Sequence, residues 1–198
     1  MSSTKYLTLD CETSTFASGN PFAKCGKLCY VGLRLHDGTY KDFPIEYKDF
    51  PYGESLQQIQ EIINAHDCII GFNLKFDLHW LVRYGIVLSG TKVFDTQLAE
   101  FIISNQSVPF PSLHSTALFY GLDGKLDVVK TEYWDKGIDT PDVPEEILQE
   151  YLKQDVLQTW EVFCKQQDRI GEEKRVLLSL ANQDLRSEER RVGKECRL

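Results

Sequence analysis

The sequence predicts an α/β fold: one mixed sheet, its first three strands antiparallel and the later ones parallel, flanked by helices. Three observations predict it. Strand-like runs at residues 6–10, 28–35 and around 41–45 open the chain with a tight turn between the last two, as in a hairpin or meander. Two later short runs, at 68–71 and 92–94, each pass directly into a helical pattern, the arrangement that connects parallel strands. The chain has 198 residues, 42% of them hydrophobic, which is enough for one substantial core and short for two.

Each element has a local reason. Tyr6-Leu7-Thr8-Leu9-Asp10 alternates and is rich in strand formers. Leu28 to Leu35 is a second such run, Asp37-Gly38 supplies the turn, and Lys41 to Ile45 returns. Residues 54–64 place Leu56, Ile59, Ile62 and Ile63 at helical spacing. Cys68-Ile69-Ile70-Gly71 reads as a short buried strand, followed by a helix over 74–84. Lys92-Val93-Phe94 repeats that logic ahead of a helix over 96–103, and another helix is expected over 112–120. Residues 123–144 are polar and marked by Gly and Pro, so an irregular segment is expected. Pro144-Glu145-Glu146 starts a long helix, with acids in its first turn, running through Asp155 towards Lys165.

Composition narrows the function classes. No apolar run approaches the roughly 18 residues of a membrane span, and the N-terminus lacks the basic-then-apolar layout of a secretory signal. No membrane contact and a cytoplasmic location are expected. The six cysteines are irregularly spaced, as free thiols are in a reducing compartment. Cys25 and Cys29 could form half of a metal clip, but no second Cys or His pair completes it, so zinc is not expected. The net charge of −8 does not exclude a nucleic-acid partner, because a carboxylate site is acidic until its cations arrive.

Residues 186–198 are set apart from the fold. Arg186-Ser187-Glu188-Glu189-Arg190-Arg191-Val192-Gly193-Lys194-Glu195-Cys196 has no apolar periodicity and resembles a translated sequencing adapter, so it is expected to be non-native.

The chemistry is expected at four acids and a tyrosine. Asp10 and Glu12 are two apart at a strand end, so one face carries both. Asp77 falls in the first turn of a helix. Asn73 and Asp77 are four apart, as are Tyr151 and Asp155, so each pair is expected to share a helical face. Oxygen-only ligands without clustered His or Cys point to hard cations, Mg²⁺ or Mn²⁺.

Asp10-Cys11-Glu12-Thr13, Asn73-Leu74-Lys75-Phe76-Asp77 and Tyr151-Leu152-Lys153-Gln154-Asp155 resemble the motifs of the DEDD superfamily of 3′–5′ exonucleases, in its tyrosine branch. Phe94-Asp95-Thr96, and Ser112-Leu113 leading to Tyr120-Gly121-Leu122, are similar to the proofreading exonuclease domain of family A DNA polymerases, of the bacterial polymerase I and phage kind. Glu150 stands where the histidine branch carries its His. The resemblance implies a ribonuclease H-like fold over about residues 4–165 and two divalent cations, roughly 3.5–4 Å apart, at the scissile phosphate. It implies that Asp10 bridges the cations, that Glu12 and Asp155 complete the one carrying the attacking water, and that Asp77 holds the second. Tyr151 is implied to orient that water, while Thr13, Asn73 and Phe76 are candidates for contact with the substrate.

The implied activity is removal of nucleoside 5′-monophosphates from the 3′ end of single-stranded DNA, proofreading for a polymerase domain or subunit, in a bacterial cell or phage-infected host. Ribonuclease D-like degradation of RNA shares these motifs, and a non-catalytic DNA-guiding domain is the alternative from another class. The expected layout is an exonuclease domain over 1–168, a helix over 169–185 leading towards a following domain, and the non-native tail. Resequencing unamplified source DNA past Gln183 is expected to give different codons; the same codons there would make the tail natural.

Overall fold

The computed structural model describes residues 4–48, 50–107, 110–123 and 128–195, the last twelve of these in backbone only. Five strands form one sheet in the order β3-β2-β1-β4-β5. β1 (Tyr6–Thr13) is central, antiparallel to β2 (Leu28–Arg34) and parallel to β4 (Cys68–Gly71). β3 (Tyr40–Pro44) pairs antiparallel with β2, and β5 (Lys92–Asp95) pairs parallel with β4. The expected mixed sheet is therefore present, with the helices α1 (Gly53–Asn64), α2 (Leu74–Arg83), α3 (Thr96–Ile103) and α4 (Leu113–Phe119) where periodicity placed them.

Three boundaries differ from expectation. β1 runs on to Thr13, so Asp10 and Glu12 lie within the strand and not at its end; the register breaks between Glu12 and Thr13. The segment expected to be irregular contains a short helix, α5 (Val128–Glu132), and two 3₁₀ turns. Burial explains them: Val129, Val143, Tyr133 and Trp134 pack with Leu148 and Leu152 of the helix that follows, an anchorage that a polar composition hides. α6 itself spans Glu145–Arg169, and α7 (Glu172–Glu195) follows it. Of the segment expected to be non-native, residues 186–195 continue the α7 backbone, and 196–198 lie outside the described residues.

The strand period sorts the core into two layers. Leu7, Leu9 and Cys11 pack with Ile59, Ile63, Leu74, Leu78 and Leu81 of α1 and α2. The even positions of β1 therefore face the other layer, where α6 lies against the sheet. That approach is close because of one glycine. Gly32 pairs with Asp10 across the ladder, and a Cβ there would sit 2.8 Å from Leu152 Cγ and 3.0 Å from Val156 Cγ2. Leu152 and Val156 flank Asp155 on α6, so the missing side chain at 32 sets how near that acid comes to β1.

Gly32→Ala is therefore expected to lower stability by about 1–3 kcal/mol, the usual cost of overpacking. In thermal unfolding this is a drop of several degrees, partly recovered by adding Leu152→Ala, which opens room for the methyl group. An unchanged melting temperature in the single variant would show that α6 is not held at this distance.

Candidate active site

Asp10 and Glu12 point from β1 to the α6 side, and one turn of α6 presents Tyr151 and Asp155 to them. A carboxylate oxygen from each of Asp10, Glu12 and Asp155 lies within 4.8 Å of the other two. Glu12 is buried, while Asp10 and Asp155 are half-buried. The donor set is all oxygen, which fits a hard cation such as Mg²⁺ or Mn²⁺ and fits zinc poorly.

Asp77 comes from the opposite layer and stands outside this trio. It is 2% exposed, and its Oδ1 accepts the Cys11 backbone N–H at 3.1 Å, between the two β1 acids. Burial, then the neighbouring Asp10 and Asp95 charges, push its carboxyl well above the usual carboxylate range. Burial and the Asp77 charge likewise raise the Cys11 thiol well above its ordinary value, which keeps this cysteine neutral among the acids.

Two clefts open from the acids. One, of about 260 Å³, is lined by Asp10, Asp155 and Tyr151 on one side and by Phe72, Ser112 and His114 on the other. The second, of about 290 Å³, contains Glu12, Thr13, Phe76 and Trp134. Thr13 and Phe76 therefore stand together, beside the left-handed turn at Phe16–Gly19. A Cβ on Gly19, whose φ is +70°, would lie 3.2 Å from the Phe76 ring and 3.3 Å from Thr13 Oγ1. Asn73 departs from expectation. It is the exposed residue ahead of α2, in a left-handed conformation with φ 57°, so it does not share a helical face with Asp77 and lines neither of these clefts.

Sequence reasoning missed Trp134. Its ring meets that of Tyr151 edge-on, with centroids 5.7 Å apart, and its Nε1 donates to Thr140 Oγ1 at 3.1 Å. Thr140 in turn donates to the Thr13 carbonyl at 2.6 Å, tying this segment to the end of β1. A lone Trp in a polar stretch was the only available signal. His114 and Gln158, which also line the first cleft, carried none.

A carboxyl whose folded pKa is raised costs stability once pH exceeds its unfolded value, about 4, and the cost is largest above the folded value. Asp77→Asn in chelator-treated protein is therefore expected to raise the melting temperature at pH 7 by about 2–4 °C, with the gain shrinking towards pH 3.5. A loss of stability at both pH values would mean that the burial of charge is not what the position resists.

With this geometry in hand, comparison with known proteins gives a consistent result. Residues 1–170 match the 3′–5′ exonuclease family of the DNA polymerase A type. DNA polymerase I of Aquifex aeolicus (strain VF5) is 28% identical over 167 residues, covering 84% of this chain; the chain spans 24% of that polymerase. Brucella melitensis NrnC with bound Mg²⁺ shares the fold, with a TM-score of 0.62 at 18% identity, over 93% of this chain and 83% of that one. The family B DNA polymerase of Pyrobaculum calidifontis superposes with a TM-score of 0.61 at 18% identity, over 83% of this chain and 24% of that one. Both are likenesses of fold, in keeping with a ribonuclease H-like sheet. Among the described residues no helix is long and apolar enough to cross a membrane. The chain belongs to the 3′–5′ exonuclease family, as a domain of the kind found in DNA polymerase I, and is a phosphodiester hydrolase of a family that depends on divalent metal.

Proposed function

We propose that the chain removes nucleoside 5′-monophosphates one at a time from the 3′ end of single-stranded DNA, with two divalent cations, Mg²⁺ or Mn²⁺, held by Asp10, Glu12, Asp77 and Asp155. The observation that carries this reading is the carboxylate trio Asp10, Glu12 and Asp155, with oxygens within 4.8 Å of one another at the meeting of two clefts. Negative charges so close favour bound positive charge. When present, the cations neutralise charge on the phosphate and make a bound water more acidic.

The side chains divide the remaining work. Asp10, on the central strand, would take part in holding both cations, Glu12 and Asp155 would help to hold one, and Asp77 would help to hold the other. Tyr151 positions the attacking water through its hydroxyl, and the edge of Trp134 limits how far its ring can swing. The water oxygen joins phosphorus as the bond from phosphorus to the upstream O3′ breaks. The phosphate leaves on the 5′ carbon of the released nucleotide, and the upstream O3′ takes up a proton. Thr13 and Phe76, beside Glu12, orient the last nucleotides, and Asn73 at the head of α2 contacts the strand.

The match to a polymerase I supports a proofreading role beside a polymerase domain or subunit. In this reading the exonuclease domain spans 1–168, residues 169–185 lead towards a following domain, and 186–198 are not native. The site sits in the cytoplasm of a bacterial cell or phage-infected host.

The test is incubation of the full chain with end-labelled DNA and RNA strands in Mg²⁺, Mn²⁺ or chelator. A one-nucleotide ladder on DNA that disappears with chelator is expected. Shortening that persists in chelator would sink the metal reading, and faster loss of RNA would reassign the substrate. Asp10→Ala is expected to abolish cleavage while the protein melts at or above the wild-type temperature, because a repelling charge leaves together with the ligand.

A further inference from the structure

The geometry points to Asp95 as a positioning residue for this centre: its single carboxylate caps two helices at once and so sets both Asp77 and the far wall of the first cleft. The inference rests on the reading of Asp77 as a metal ligand given above.

The first N–H groups of any helix lack partners within it. At α2 the residue in the capping position, Asn73, makes no side-chain cap and is held left-handed. Asp95, 22 positions on at the end of β5 and 5% exposed, does the capping in its place. Its Oδ1 accepts the Asn73 N–H at 3.2 Å, and its Oδ2 accepts the Leu74 N–H at 2.9 Å. The same Oδ1 accepts from Gln97 at 2.9 Å and Leu98 at 3.2 Å, which caps α3. Thr96 adds a bond from Oγ1 to the Gly71 carbonyl at 2.9 Å, locking the end of β4 to the start of α3.

The consequence reaches the site from two directions. Asp77 lies in the first turn of α2, so a shift or rotation of the Leu74 end moves its carboxylate. On α3, Gln97 Nε2 donates to the Pro111 carbonyl at 2.9 Å, immediately ahead of Ser112 and His114 on the cleft wall. A backbone N–H bonded to a buried carboxylate is a strong, directional tie. Metal ligands tolerate little displacement, and a misplacement of about 1 Å can cost about a hundredfold in rate.

Asp95→Asn is the discriminating variant. Its amide oxygen can keep the three bonds at Oδ1, and so the α3 cap, while its NH₂ group faces the Leu74 N–H and loses that bond. With Mg²⁺ and single-stranded DNA, kcat is expected to fall about 10- to 100-fold. The half-saturating Mg²⁺ concentration should rise, with KM for the strand and the circular dichroism unchanged; Asp95→Ala should fall further. Wild-type kcat and Mg²⁺ dependence in Asp95→Asn would overturn the inference. So would failure of both variants to fold, which would make Asp95 a purely structural cap. Absence of Mg²⁺-dependent cleavage in the wild type would overturn instead the metal-ligand reading on which the inference stands.

Discussion

Carboxylates with oxygens within 4.8 Å of one another repel by about 1–4 kcal/mol per pair, depending on how much solvent reaches them, and the surrounding structure has to withstand that force. β1 is suited to the task because Asp10 and Glu12 are paired with Gly32 and Tyr30 of β2, and the strand below them, at Tyr6 to Thr8, is also paired with β4, so the two acids cannot splay without breaking the β2 ladder. The third acid is brought by a helix of 25 residues whose Leu152 and Val156 are buried against the sheet. The repulsion is thus opposed by backbone pairing on one side and by apolar packing on the other.

Packing also decides how near the two sides come. Gly32 lies opposite Asp10 in the ladder, and any side chain there would run into Leu152, so helix and sheet come close beside the acids. Asp77 approaches from the other face of the sheet and meets the strand through the Cys11 N–H, a main-chain contact that leaves Asp77 Oδ2 uncommitted to that bond. Acids thus reach this one strand from both layers of the sheet, Asp10, Glu12 and Asp155 on the α6 side and Asp77 from the other.

The chain between α4 and α6 completes the second cleft. Thr140 is fully buried and bonds both to Trp134 and to the end of β1, so a segment without regular periodicity is pinned at its base. Trp134 then rests against Tyr151. In an acidic chain of net charge −8, the aromatic and hydroxyl groups of Trp134, Phe76 and Thr13 line the second cleft without adding negative charge beside Glu12.

The sequence by itself determined the order and type of the main elements, because strand alternation, helical spacing and turn residues are local and every one of them agreed with the sheet. It also singled out the acids and Tyr151 as candidates, since Asp10 with Glu12 and Tyr151 with Asp155 are spaced as one strand and one helical turn. Only the tertiary structure decided what those motifs do to one another. Glu12 proved to lie within a strand, because pairing with β2 carries β1 to Thr13. Asn73 left the helical face, because the bend from β4 into α2 requires a left-handed residue. The roles of Trp134, of His114 and of the double cap at Asp95 could not be read locally, for one physical reason. Their partners lie at Tyr151, across a cleft at Asp10, and at Asn73 and Leu74, and contacts between segments far apart in the chain leave no periodicity in either segment.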